Sequence, residues 1–134
     1  MNEIKKCNEI IKLSKLFYKS SFSPNRSGNI SIKHKRKNVE GFLITPSGKK
    51  NSELKKQDIV FVTLNGESNN NKKPSSEWQF HLDLYKNTEY QAIVHAHSKF
   101  SVICSCLYKI IPAFHYMIAL TGKKVIEVAP YALF

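Results

Sequence analysis

The chain has 134 residues, of which 42% are hydrophobic and 23% charged, with a formal net charge of +11. This length accommodates one domain (residues 1–134) and one core, and the apolar fraction supports that core without disulfides or structural metals. No uncharged apolar run approaches the ~18 residues that cross a bilayer, and Met1–Lys6 lacks the apolar stretch of a signal peptide. A membrane-spanning or secreted chain is thereby excluded, and a soluble cytoplasmic protein is expected.

The charge comes from 19 Lys against 2 Arg. The lysines are scattered, and only Lys33-His34-Lys35-Arg36-Lys37 is dense. No nucleic-acid motif accompanies them, so nucleic acid is not an expected partner, whereas a basic field suits phosphorylated small molecules. Three cysteines, Cys7, Cys104 and Cys106, form no C-x-x-C. Cys104 and Cys106 lie in an apolar run and are expected in the core.

In chain order, Ile4, Cys7, Ile10, Ile11, Ser14 and Phe17 recur at helical spacing and predict a helix from about Asn2 to Tyr18. Residues 21–28 read as a turn. Ile30-Ser31-Ile32 alternates as a strand, with Val39 to Thr45 as its hairpin partner. Pro46-Ser47-Gly48 breaks that strand, and Ser52 to Lys56 forms one helical turn. Ile59 to Val62 reads as a strand, followed by the Asn65-Gly66 turn and a polar loop over residues 69–73.

Ser76 and Gln79 match the capping-box pattern at the start of a helix carrying Trp78, Leu82 and Tyr85. Gln91 to His97 is a strand, and its apolar Ile93, Val94 and Ala96 predict that it is buried. A helix follows through Leu107, then a helical His115–Leu120 ending at Gly122, and a final strand at Val125–Val128. Strands interleaved with helices predict an α/β or α+β sandwich.

Three features carry chemistry. His95-Ala96-His97 places two imidazoles on one strand face, where both reach one ion. Two hydrogen-bonded structural histidines are the alternative. Glu77 falls in the first turn of a predicted helix, as a dipole-stabilised charge or as a ligand and proton carrier. His81, four residues on, reads as structural. Finally, Ser27-Gly28-Asn29, Thr45-Pro46-Ser47-Gly48 and Pro74-Ser75-Ser76 supply small hydroxyls and backbone N–H groups, the donors a phosphate requires.

The order of these segments is distinctive: Ser27-Gly28-Asn29-Ile30-Ser31, Ile44-Thr45-Pro46-Ser47-Gly48, Pro74-Ser75-Ser76-Glu77-Trp78-Gln79-Phe80-His81 and Val94-His95-Ala96-His97-Ser98. Ile111-Pro112-Ala113-Phe114-His115-Tyr116-Met117-Ile118-Ala119 and Ala129-Pro130-Tyr131-Ala132-Leu133-Phe134 complete it. From about residue 4 to 134 the chain resembles the class II aldolase/adducin family, nearest its members that cleave L-fuculose 1-phosphate.

The resemblance implies a three-layer α/β/α sandwich around a mostly antiparallel central sheet. It implies Glu77 as acid/base and zinc ligand, and His95 and His97 as zinc ligands, with one Zn²⁺ per subunit. It assigns Gly28, Asn29, Ser47, Gly48, Ser75 and Ser76 to the substrate, chiefly its phosphate. The implied reaction is zinc-dependent cleavage of a ketose 1-phosphate to dihydroxyacetone phosphate and an aldehyde, in a homo-oligomer, tetrameric in the family.

Family enzymes place a third zinc histidine and a catalytic tyrosine beyond the position matching Phe134, so the chain is expected to be truncated at its C-terminus and to hold zinc weakly. His115 is not the missing ligand. A sister epimerase or dehydratase, an impaired fragment, or an adducin-like interaction module are the other readings.

Overall fold

A computed structural model describes residues 2–20, 22, 27–68 and 71–130. The predicted turn at residues 21–28, the loop at residues 69–73 and the end of the chain from Tyr131 lie partly or wholly outside the described residues. The chain forms two compact units, Met1–His97 and Ser98–Phe134.

The first unit opens with helix α1 (Glu3–Lys19), where the Asn2 side chain accepts a hydrogen bond from the Lys5 N–H at 2.9 Å. Such a cap is worth ~1 kcal/mol. The helix buries Cys7, Ile10 and Ser14, the face that the sequence periodicity marks out. Strands β1 (Asn29–Arg36) and β2 (Val39–Ile44) make an antiparallel hairpin, Ser31 opposite Ile44 and Arg36 opposite Val39. β1 runs four residues past the predicted strand because the hairpin turn falls at Lys37 and Asn38, both at positive φ.

The helical turn expected at 52–56 is instead two short 3-10 turns, Asn51–Glu53 and Lys56–Asp58. Strand β3 (Val60–Thr63) pairs with β2, helix α2 spans Trp78–Asn87, and strand β4 (Ala92–His95) pairs with β1. The sheet order is β3-β2-β1-β4, antiparallel throughout.

Alternation along the strands divides the core into two layers. Ile30, Leu43, Ile59 and Phe61 pack with Cys7 and Ile10 of α1. Phe42, Ile44, Val60, Val62 and Ile93 pack with Tyr85 of α2 on the opposite face. A helix on each face of one antiparallel sheet gives the three α/β/α layers. The burial expected for β4 is not found: it is an edge strand, with Val94 47% exposed and only Ile93 buried.

The second unit contains helix α3 (Lys99–Leu107), strands β5 (Ile110–Ile111) and β6 (Ile126–Glu127) in an antiparallel pair, and a turn at Tyr116–Thr121. That turn is 3-10 rather than α-helical and ends at Gly122 as expected. α3 buries none of its residues, so Cys104 and Cys106 are not core: the first is half-buried and the second exposed. No helix among the described residues is long and apolar enough to cross a membrane.

Candidate active site

Three turns meet at one end of the sheet because Thr45 ties them together. Its N–H donates to the Ile30 carbonyl at 3.1 Å, its hydroxyl accepts from the Ile30 N–H at 3.3 Å, and its carbonyl accepts from the Ser75 N–H at 3.0 Å. Pro46 bridges to Pro74, and the Ser47 N–H donates to the Lys73 carbonyl at 3.1 Å. The end of β2 is thus stitched to β1 on one side and to the segment before α2 on the other.

The result is a cavity of about 210 Å³ lined by Ser27, Gly28, Asn29, Pro46, Ser47, Gly48, Ser75, Ser76, Glu77 and His97. All six residues assigned to the substrate by resemblance line it. Gly28 and Gly48 have φ of 75° and 74°, a backbone region that penalises a Cβ. The Ser47 and Ser75 N–H groups are spent on Lys73 and Thr45, so their hydroxyls, not these amides, remain for an anion.

Glu77 does not sit inside the first turn of α2 but at its N-cap. The predicted capping box is absent. Ser76 is exposed and makes no cap, while the Ser75 hydroxyl accepts from the Glu77 N–H at 3.3 Å and the Ser75 carbonyl accepts from Trp78 at 3.0 Å. This tight turn aims the Glu77 carboxylate at the end of β4.

His95 closes β4, and His97 lies just past it, where its N–H donates to the Phe22 carbonyl at 3.0 Å. The Nε2 atoms of His95 and His97 are 2.9 Å apart. Glu77 Oε1 lies 3.6 Å from the first and 3.9 Å from the second.

One potential ligand atom from each of Glu77, His95 and His97 falls within 4.8 Å of the others. Ligands ~2.0–2.2 Å from a shared zinc sit roughly 3.3–3.6 Å apart in a tetrahedron, so this donor set fits such an ion. Burial pushes the His95 imidazole below its usual pKa, opposed by Glu77 and assisted by His97, and so favours the neutral form that ligates metals.

His81 is fully buried, as befits a structural residue, but its partners were not legible in the sequence. Its Nδ1 lies 2.7 Å from Ser31 Oγ, which lies 2.8 Å from the Tyr85 hydroxyl. Its Nε2 meets Asn29 Oδ1, and Asn29 Nδ2 donates to Glu77 Oε2. Burial holds the His81 imidazole down to about 4, with His95 assisting and Glu77 opposing. Burial likewise pushes the Tyr85 hydroxyl up to about 12, against its hydrogen bonds with Ser31 and the Ile93 backbone. His115 is exposed in the second unit, its Nδ1 accepting from the Met117 N–H at 3.2 Å.

A sheet with a helix on each face, a carboxylate and two imidazoles that could hold a metal at its end, and a turn-lined cavity beside them define an α/β protein. The sequence matches the family of the class II aldolase and adducin N-terminal domain over residues 8–134, and the chain belongs to that family. It is 44% identical over 109 residues to a 5-methylthioribulose-1-phosphate/5-deoxyribulose-1-phosphate aldolase of Rhodospirillum rubrum, covering 81% of this chain and 48% of that one.

It is 41% identical over 135 residues to an L-fuculose phosphate aldolase of Haemophilus influenzae, covering 100% of this chain and 61% of that one. A solved L-fuculose 1-phosphate aldolase superposes with a TM-score of 0.83 at 36% identity, over 97% of this chain and 61% of that one. The chain therefore spans about half to three-fifths of the length of these relatives.

Proposed function

We propose that the chain carries the metal- and phosphate-binding part of a zinc-dependent aldolase that cleaves a ketose 1-phosphate to dihydroxyacetone phosphate and an aldehyde. The observation that carries this reading is the convergence of Glu77, His95 and His97 beside the cavity that contains all six substrate-assigned residues. Relatives named for aldol cleavage of L-fuculose phosphate and of 5-deoxyribulose and 5-methylthioribulose 1-phosphates support the substrate class.

Glu77, His95 and His97 would hold the ion. A bound zinc supplies Lewis-acid polarisation of the sugar's carbonyl and hydroxyl oxygens. The Ser47, Ser75 and Ser76 hydroxyls and the bare backbone at Gly28 and Gly48 receive the phosphate, and that remote anchor holds the carbon–carbon bond against the carboxylate. Asn29 occupies Oε2 of Glu77, so Oε1 is the oxygen that would touch the ion before substrate binds and, once substrate takes that place, would deliver a proton to the carbon released by the breaking bond. Self-association is part of the same reading, and sedimentation of the purified chain tests it.

The experiment is to supply zinc-loaded chain with L-fuculose 1-phosphate and 5-deoxyribulose 1-phosphate and to measure dihydroxyacetone phosphate. Release that a chelator abolishes supports the reading. No release from a chain that demonstrably holds zinc contradicts catalysis by this chain.

A further inference from the structure

Glu77, His81 and Tyr85 succeed one another at four-residue spacing along one stripe of α2, starting at its cap. Asn29 and Ser31, two residues apart in β1, point to the sheet face that α2 covers. Four residues of helix advance about 6 Å and two of strand about 6.6 Å, so the two rows run in step. They interdigitate as a buried chain of hydrogen bonds: Tyr85, Ser31, His81, Asn29, Glu77.

The chain has one sense. Asn29 Oδ1 only accepts, so His81 Nε2 carries the proton and donates to it. His81 Nδ1 is then bare and accepts from the Ser31 hydroxyl, whose oxygen accepts from Tyr85. At the other end the Asn29 amide is oriented with its NH₂ toward the Glu77 carboxylate. Flipping that amide would set a carbonyl against a carboxylate and leave two imidazole and amide donors opposed.

We propose that His81, set by Ser31 and Tyr85, is a positioning residue that locks the Asn29 amide and through it the Glu77 carboxylate, so that Oε2 is held and Oε1 faces the two imidazoles. The role rests on the reading of Glu77, His95 and His97 as a metal centre. Partners one step behind metal ligands typically contribute ~10–100-fold in metal affinity. A glutamine at position 81 presents an amide N–H near the place of Nε2, whereas a phenylalanine fills the space without a donor.

The test compares the 134-residue chain with its His81→Gln, His81→Phe and Tyr85→Phe variants by cobalt(II) affinity in chelator competition, with thermal midpoints measured alongside. The expected result is an affinity loss of about tenfold or more in His81→Phe. His81→Gln should recover most of it, even though both variants lose thermal stability. Equal affinity in every variant, or an equal loss in the Gln and Phe variants, overturns the proposal.

The tautomer of His81, read from imidazole ¹⁵N shifts in the metal-free chain, needs neither metal nor substitution. An Nε2–H tautomer is expected, and an Nδ1–H tautomer overturns the relay even where His81→Phe fails to fold. A chain that takes up no cobalt but shows the Nε2–H tautomer contradicts the metal centre, and not the orientation of Asn29.

Discussion

His95 Nε2 and His97 Nε2 face each other at 2.9 Å. Residues two apart in a strand are about 6.6 Å apart along the backbone, so same-face alternation alone does not bring their ring nitrogens this close. The chain leaves β4 after His95, where the His97 N–H donates to the Phe22 carbonyl at 3.0 Å instead of extending the strand. At that separation the two rings share a hydrogen bond, and Glu77 Oε1 lies near both nitrogens.

Glu77→Gln keeps the shape and the Asn29 contact region but removes the proposed acid/base. The rate of aldol cleavage should fall by about 10²–10⁴-fold. Inhibition by inorganic phosphate should change little, because the proposed phosphate contacts lie in the neighbouring turns. Steady-state kinetics with and without phosphate checks both expectations.

Gly48 offers a clean probe of the anion cavity, since a Cβ there meets nothing within 4 Å. Its φ of 74° is a conformation that Asp tolerates better than most residues. Gly48→Asp should therefore fold, place a negative charge in the cavity proposed for the phosphate, and raise KM by about tenfold, the equivalent of ~1.4 kcal/mol. Metal affinity should stay unchanged, which calorimetry with zinc measures.

Ser14 is buried in α1, and its hydroxyl has no hydrogen-bond partner among the described residues. An unpaired buried hydroxyl costs stability, and alanine is the better helix former. Ser14→Ala is expected to raise the unfolding free energy by about 1 kcal/mol in urea denaturation.

Acid should weaken the fold in two stages. The His81 imidazole titrates at about 4 in the folded chain, against an ordinary 6.5. A depressed histidine binds its proton more readily when unfolded, so its contribution is intact above pH 6.5 and is lost as pH falls toward 4. Burial raises the Asp58 carboxyl, but the Lys49 hydrogen bond, the Lys55 N–H and the charges of Lys49 and Lys72 outweigh it and hold the group below its ordinary value. Its contribution is present above the ordinary aspartate pKa of about 4 and is lost below it. Urea midpoints should decline from about pH 6.5 toward 4 and further below 4, and a flat profile would contradict both assignments.

Much of the site was legible because its motifs are local. H-x-H, the three small-residue turns and Glu77 each occupy a few consecutive positions, and their order points to the family that the comparisons establish. The Asn29–His81–Ser31–Tyr85 relay was not legible, because a helical spacing of four and a strand spacing of two carry no signal until the helix is laid on the sheet. Burial of β4 was overestimated for a related reason: Ile93 faces α2 and is buried with Phe42 and Tyr85, while Val94 points to the opposite face of an edge strand and is exposed. The capping box failed because the helix begins one residue later than the motif required, with Glu77 rather than Ser76 at the N-cap.

The most direct measurement is zinc uptake by the purified chain and by its His95→Ala/His97→Ala double variant in equilibrium dialysis at pH 7.5. One ion per unaltered chain and none in the double variant is the predicted result. Uptake that is absent from both, or the same in both, would contradict the metal centre.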